Sequence, residues 1–145
     1  MPLVQKTALV PYAAERMFAL VADFERYAEF LPWCAGAEVL ERNDATVLAR
    51  IHIDYRGIKQ SFSTVNINRP GESIDMQLRD GPFQKLEGVW RFHALAPEAC
   101  KIELTLDYAF ANALLEKAVG PVFSMISNTT VERFVGRAEQ LYRSP

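Results

Sequence analysis

The sequence predicts an α+β protein in which a curved antiparallel sheet of about seven strands wraps around a long C-terminal helix. Three observations predict it. Apolar residues recur at intervals of three and four from Asn112 to Tyr142. Apolar and polar residues alternate with period two over most of the stretch from Glu38 to Phe110. Between the first strand and that stretch, the residues after Ala13 follow helical spacing.

In chain order, Leu3 to Val10 is the first strand, with Leu3, Gln5, Thr7 and Leu9 on one side and Val4, Lys6, Ala8 and Val10 on the other. The contrast between its faces is weak, as at a sheet edge, and Pro11 ends it. Met17, Leu20, Val21, Phe24, Tyr27 and Leu31 then read as two short helices, with Asp23 placed to cap the second and Pro32 closing it. Pro32-Trp33-Cys34-Ala35-Gly36 is a loop.

Glu38 to Arg42 is a short strand. Thr46 to Tyr55 is longer, with Val47, Ala49, Ile51, Ile53 and Tyr55 opposite Arg50, His52 and Asp54. Arg56-Gly57 is a tight turn into Ile58 to Asn68, where Phe62 and the pair Val65 and Ile67 have opposite parity. That mismatch implies either a bulge or a strand covered on both faces. After Arg69-Pro70-Gly71, three strands alternate cleanly: Ile74, Met76, Leu78; then Leu86, Gly88, Trp90, Phe92, Ala94; then Ile102, Leu104, Leu106, Tyr108, Phe110.

The C-terminal helix carries its stripe at Leu115, Val119, Val122, Phe123, Ile126, Thr130, Phe134, Ala138 and Leu141. Asn112 is its expected N-cap, and Gly120-Pro121 predicts a kink or a looser first segment. Arg133, Arg137 and Arg143 stand toward its C-terminal end, where positive charge suits the dipole. At 1.5 Å per residue the rod runs about 45 Å, too long for a short helix to cover. A sheet of seven strands at about 4.8 Å spacing is several times wider than the stripe of one helix, so the sheet must curl. Periodicity leaves open whether that grip is filled or hollow.

The chain of 145 residues is read as one domain spanning 1–145, half hydrophobic, with net charge -2. That balance gives no general attraction to DNA or to anionic membrane, and no apolar run reaches the length of a membrane span. The N-terminus lacks a secretion-signal pattern, so a cytoplasmic location is expected. Cys34 and Cys100 are read as reduced, packed thiols without metal spacing.

Several stretches resemble a known family: Val10-Pro11-Tyr12-Ala13-Ala14-Glu15, Leu20 to Tyr27 running into Phe30-Leu31-Pro32-Trp33-Cys34, Asp80-Gly81-Pro82-Phe83, Leu86-Glu87-Gly88-Val89-Trp90-Arg91-Phe92, Gly120-Pro121-Val122-Phe123 and Phe134 to Ala138. In order and over nearly the whole chain they are similar to the RatA branch of the START-like superfamily. That branch includes coenzyme Q-binding START proteins and is often labelled polyketide cyclase-like. The resemblance implies a helix-grip fold with an apolar tunnel between the long helix and the sheet. It also implies two functions, binding of an isoprenoid quinone (ubiquinone) or related lipid and association with the large ribosomal subunit.

The tunnel candidates follow from that resemblance. The sheet side offers Phe62, Met76, Leu78, Phe83, Leu86, Trp90, Phe92, Leu106 and Tyr108. The helix offers Leu115, Val119, Val122, Phe123 and Ile126, and the loop offers Phe30, Leu31 and Trp33, which either gate an opening or seal the core. Gln60, Thr64, Gln84, Tyr55 and Tyr108 are the polar groups that could meet a quinone carbonyl. His52 and His93 share faces with charged residues and read as solvated, with no third group completing a triad.

The dry faces of the last three strands hold no Asp, Glu, Lys, Arg or His, so the expectation is a non-catalytic carrier of an apolar ligand, with no required cofactor and no metal. Its contact with a membrane would be transient at most. The alternative is a factor that binds the large ribosomal subunit and inhibits subunit association; an aromatase/cyclase-type enzyme ranks third.

Overall fold

Period-two alternation becomes six consecutive strands, and the N-terminal strand adds a seventh. The computed structural model describes residues 3–142. Its elements are β1 (Leu3–Val10), α1 (Ala14–Ala22), a 3-10 helix (Phe24–Glu29), β2 (Cys34–Arg42), β3 (Thr46–Tyr55), β4 (Ile58–Arg69), β5 (Ser73–Asp80), β6 (Phe83–Ala96), β7 (Ala99–Phe110) and α2 (Ala113–Tyr142). The sheet is antiparallel throughout, in the order β1-β7-β6-β5-β4-β3-β2. Hairpins join every neighbouring pair except β1 and β7, which come from opposite ends of the sequence, with Leu3 facing Asp107 and Val10 facing Cys100.

β2 begins at Cys34, ahead of the expected Glu38, and its pairing with β3 shifts register between Cys34 and Gly36 and again between Val39 and Glu41. Ala35-Gly36-Ala37 offers no alternation from which a strand could be read. The turn between β3 and β4 places Arg56 at φ 49 and Gly57 at φ 83, both left-handed, the signature of a two-residue hairpin whose twist matches that of the strands.

The parity conflict in β4 resolves in favour of Phe62, Thr64 and Asn66, which are buried on the inner face, whereas Val65 and Ile67 point outward. The bulge lies in the neighbouring strand: Ser63 faces Asp80 and Thr64 faces Leu78, which leaves Arg79 as the extra residue of β5.

The inner face of the curled sheet holds the helices. α2 lies against β1, β7 and β4; α1 lies against β6 and β7; the 3-10 helix lies against β2. Asn112 caps α2, its Oδ1 accepting the Leu115 amide at 2.9 Å. The helix runs unbroken through Gly120-Pro121, and Pro121 faces solvent.

Its buried stripe is Val119, Phe123, Ile126, Ser127, Val131, Phe134 and Ala138. Leu141, assigned to the stripe from its spacing, is exposed, and Tyr142 turns inward instead, against the ring of Tyr12 at 5.9 Å. The second short helix is 3-10, and Asp23 does not cap it by side chain; its carboxylate pairs with Arg26 at 3.2 Å. Arg143 lies outside the described residues.

Candidate functional site

Between α2 and the inner face of the sheet lies an apolar cavity of about 90 Å³. Gly88 opens its sheet wall. A Cβ on Gly88 would stand 2.7 Å from Met76 Cε and 2.7 Å from Leu106 Cδ2, so these two flexible tips occupy the room that the missing side chain leaves. Phe62, Leu86, Trp90 and Leu104 complete that wall, with Ile51 and Thr64 toward β3 and β4. Phe123, Ile126, Thr130 and Phe134 form the helix wall, and Phe24, Tyr27, Leu31 and Trp33 close the end.

Of the residues read from the sequence as tunnel candidates, the cavity gathers Leu31, Trp33, Phe62, Met76, Leu86, Trp90, Leu106, Phe123 and Ile126. The others lie elsewhere. Phe83 and Tyr108 join Phe110, Phe62 and Phe123 in an aromatic cluster, with ring centroids 4.9 Å apart for Phe83 and Phe123 and 4.7 Å for Tyr108 and Phe123. Val119 is buried on α2, whereas Leu115 and Val122, one before and one after it in the stripe, are half-buried. Phe92 stacks on Trp90 and meets Phe18, and Leu78 is half-buried beside the bulge in β5.

Spacing gave no tunnel role to Phe24, Tyr27, Thr130 or Phe134, because the packing of the 3-10 helix against α2 is what brings them to one space. Among the polar candidates only Thr64 lines the cavity; Gln84 is exposed, and Tyr55 and Gln60 are half-buried.

The closing segment is held on several sides. Phe30 and Tyr27 pack edge-on against Phe134 at 5.2 and 5.3 Å. The Arg137 guanidinium donates to Glu29 and lies 5.2 Å over the Phe30 ring. Trp33 is fixed through its carbonyl, which accepts the Asp54 amide at 3.0 Å. Of the two roles open to Phe30-Leu31-Pro32-Trp33, the segment holds Leu31 and Trp33 inward as an end wall, while Phe30 is outside the lining.

The lining holds no carboxylate, histidine, lysine, arginine or cysteine among the described residues. Its titratable group is Tyr27, whose hydroxyl donates to the Val21 carbonyl and is pushed well above its ordinary range, first by burial and then by Cys34 and Asp23. The polar atoms are few. Thr64 Oγ1 donates to Asn66 Oδ1 at 3.0 Å, while the indole N–H of Trp33 and the amide nitrogen of Asn66 are buried without a partner.

Residues 10–135 match the family model described as polyketide cyclase / dehydrase and lipid transport. The chain belongs to this family. Within it, the chain is 45% identical over 139 residues to a ribosome association toxin RatA of Pseudomonas aeruginosa, covering 96% of both chains. A mitochondrial coenzyme Q-binding protein COQ10 homolog B of Xenopus laevis is more distant, 23% identical over 94% of this chain and 58% of its own. Among solved structures, the Zhui aromatase/cyclase of Streptomyces sp. R1128 aligns with a TM-score of 0.83 at 21% identity, covering 99% of this chain and 96% of its own. A START superfamily protein of Mycobacterium smegmatis aligns at 0.76 and 26% identity, covering 96% and 98%. The helix-grip architecture is thus that of the START/Bet v 1 type.

Away from the cavity, on the outer sheet face, Lys85 pairs with Asp107 at 2.8 Å and Arg69 with Asp75 at 2.6 Å, and His93 lies 3.8 Å from Glu103. His52, read from sequence as merely solvated, bridges three strands. One ring nitrogen meets Ser61 Oγ on β4 and the other Glu38 Oε1 on β2, each at 2.6 Å. The order serine, imidazole, carboxylate is that of a nucleophile and its base, yet it lies on the outer face of the sheet rather than in the cavity. No described helix is long and apolar enough to cross a membrane.

Proposed function

We propose that this protein acts on the ribosome, binding the large subunit and hindering its union with the small one in the cytoplasm. The observation that carries this reading is similarity at 45% identity, end to end, to a protein named for ribosome association. Sedimentation of cell extract through a sucrose gradient, with and without added purified protein, tests it. The expected outcome is fewer joined ribosomes and co-migration of the protein with the large subunit. Unchanged profiles and no co-migration would end the proposal.

A second reading is favoured by the cavity itself: non-catalytic binding of a neutral apolar molecule. A lining without carboxylate, histidine, lysine, arginine or cysteine, whose tyrosine hydroxyl is buried and donates to the Val21 carbonyl, supports binding rather than catalysis. An isoprenoid quinone is the occupant suggested by the name of the more distant coenzyme Q-binding relative. Ligand pockets usually offer about 300 Å³ or more, so a volume of about 90 Å³ takes such a head group only after Met76, Leu106 or the end wall moves aside. Mass spectrometry of organic extracts of the purified protein tests this reading. Recovery of a quinone or other isoprenoid supports it, and its consistent absence, with no uptake of added quinone, would count against it.

A further inference from the structure

We infer that Ser61, on the outer face of the sheet, is an acyl acceptor: a serine activated by His52 that takes the acyl group of an activated donor such as an acyl phosphate, a thioester or an aryl ester. The site is built across three strands, and none of its residues lines the cavity. Ser61 of β4 stands directly opposite His52 of β3, and Gly36 of β2 faces His52 from the other side. His52 Nε2 lies 2.6 Å from Glu38 Oε1, and Nδ1 lies 2.6 Å from Ser61 Oγ. A carboxylate can only accept, so Nε2 carries the ring proton and donates it to Glu38. Nδ1 then turns its lone pair to Ser61, whose hydroxyl donates to it. That is the tautomer a base needs in order to activate a serine.

The arrangement is open to solvent. Ser61 is exposed, and the side chains of His52 and Glu38 are 33% and 57% exposed. Gly36 has no side chain to lie over the ring; a Cβ there would already touch His52 Cδ2 at 3.9 Å. Ser63, next on the same face, is fully buried and its Oγ accepts from Arg50 Nε at 3.1 Å, so it is closed to a substrate. Arg50 faces Ser63, and Lys59 precedes Ser61 by two residues, which puts a cation to either side of the serine along β4; Asp54, opposite Lys59, tempers the second. Positive charge there favours the oxyanion formed when a carbonyl is attacked. At screened surface positions that help is small, so the reaction is confined to donors with a weakly basic leaving group.

In the step itself, Ser61 Oγ attacks the carbonyl carbon while its proton passes to His52 Nδ1. The tetrahedral adduct collapses, and the bond to the leaving group breaks with its electron pair. The imidazolium then returns its extra proton to the leaving group or to water. The product is an O-acyl serine. Glu38 acts through His52 and is a positioning residue.

Incubation of the full-length protein with p-nitrophenyl acetate, followed by digestion and mass spectrometry, tests this. Ser61 is expected to gain an acetyl group about a hundredfold faster than Ser124, which is also exposed but lies beside the Asn128 amide rather than an imidazole. His52→Gln is expected to slow Ser61 by about a hundredfold. Glu38→Gln is expected to slow it by about tenfold and to move the His52 imidazole 15N resonances away from those of a single Nε2–H tautomer, which a purely structural role would not do.

If Ser61 is labelled no faster than Ser124, or His52→Gln labels as fast as the wild type, the inference is overturned. Should His52→Gln not fold, the comparison of Ser61 with Ser124 in the wild type decides on its own. An unchanged tautomer in Glu38→Gln would overturn the positioning role of Glu38.

Discussion

Gly88 shows how much one absent methyl can govern. With the tips of Met76 and Leu106 each 2.7 Å from the place a Cβ would take, Gly88→Ala must push both toward a cavity of only about 90 Å³. The displaced atoms are ends of flexible chains, so overpacking should cost about 1 kcal/mol, the low end of its usual range. Uptake of a small apolar probe such as benzene should fall at least tenfold, while calorimetry shows a drop in Tm of about 2–5 °C. Unaltered binding would mean that the cavity lies elsewhere than beside Gly88.

Phe134 is the opposite case, a large ring whose removal leaves a hole. It is 1% exposed and meets Tyr27, Phe30 and Trp90 at centroid distances of 5.3, 5.2 and 5.3 Å. Phe134→Ala should destabilise the fold by about 3–5 kcal/mol in denaturant titration. The helical spacing marked Phe134 as an inward residue, but not as a wall of the cavity, since its neighbours across the space come from a segment more than 100 positions away.

Among the elements, the 3-10 helix and its link to α2 form the closed end of the cavity. Arg137 joins them twice, through Glu29 and through the face of Phe30. The carboxylate side is half exposed, so the pair is screened, and Arg137→Gln should change global stability by less than about 1 kcal/mol. Its effect should be local: amides of residues 24–31 exchange faster with deuterium, whereas those of β6 and β7 do not change. Equal exchange in variant and wild type would show that the ion pair does not hold the segment shut.

The sequence showed that a short apolar helix occupied this place. It could not distinguish 3-10 from α geometry over six residues, because Phe24 and Tyr27 fall on one side in either winding. The strands were easier to read wherever large and charged residues alternate, as in β6, and harder where Ala35-Gly36-Ala37 carries no contrast. The parity conflict in β4 came from Val65 and Ile67 facing outward on a regular strand, while the bulge at Arg79 of β5 depends on pairing, which local spacing does not encode.

For the whole molecule, burial of uncharged thiols and phenols favours the folded state below the alkaline range. Burial raises the Cys34 and Cys100 thiols above their ordinary 9.0 and the Tyr27, Tyr108 and Tyr142 hydroxyls above 10.0. In each case the folded chain holds its proton more tightly than the unfolded chain. The contribution is therefore fully present below pH about 9 and is lost as pH rises from the unfolded values through the folded ones. Thermal unfolding followed from pH 7 to 11 should give a flat Tm up to about pH 8.5 and a steady fall beyond it. A fall that begins near neutrality would assign the limit to other groups.

The element order was legible because helical and strand periods are written in spacing, whereas the place of β1 beside β7 is set by long-range pairing. The size of the hollow was not legible, because it depends on where a few side-chain tips rest around Gly88.

The pairing of β1 with β7 also sets an order of events during synthesis. Leu3–Val10 is translated well before the strand it must join, which ends at Phe110, and before the helix that covers both, which ends at Tyr142. A nascent chain thus carries β1 without its partner until β7 has been translated. Completion of the sheet becomes a late, long-range closure, and refolding from denaturant belongs in the millisecond-to-second range rather than the microsecond one.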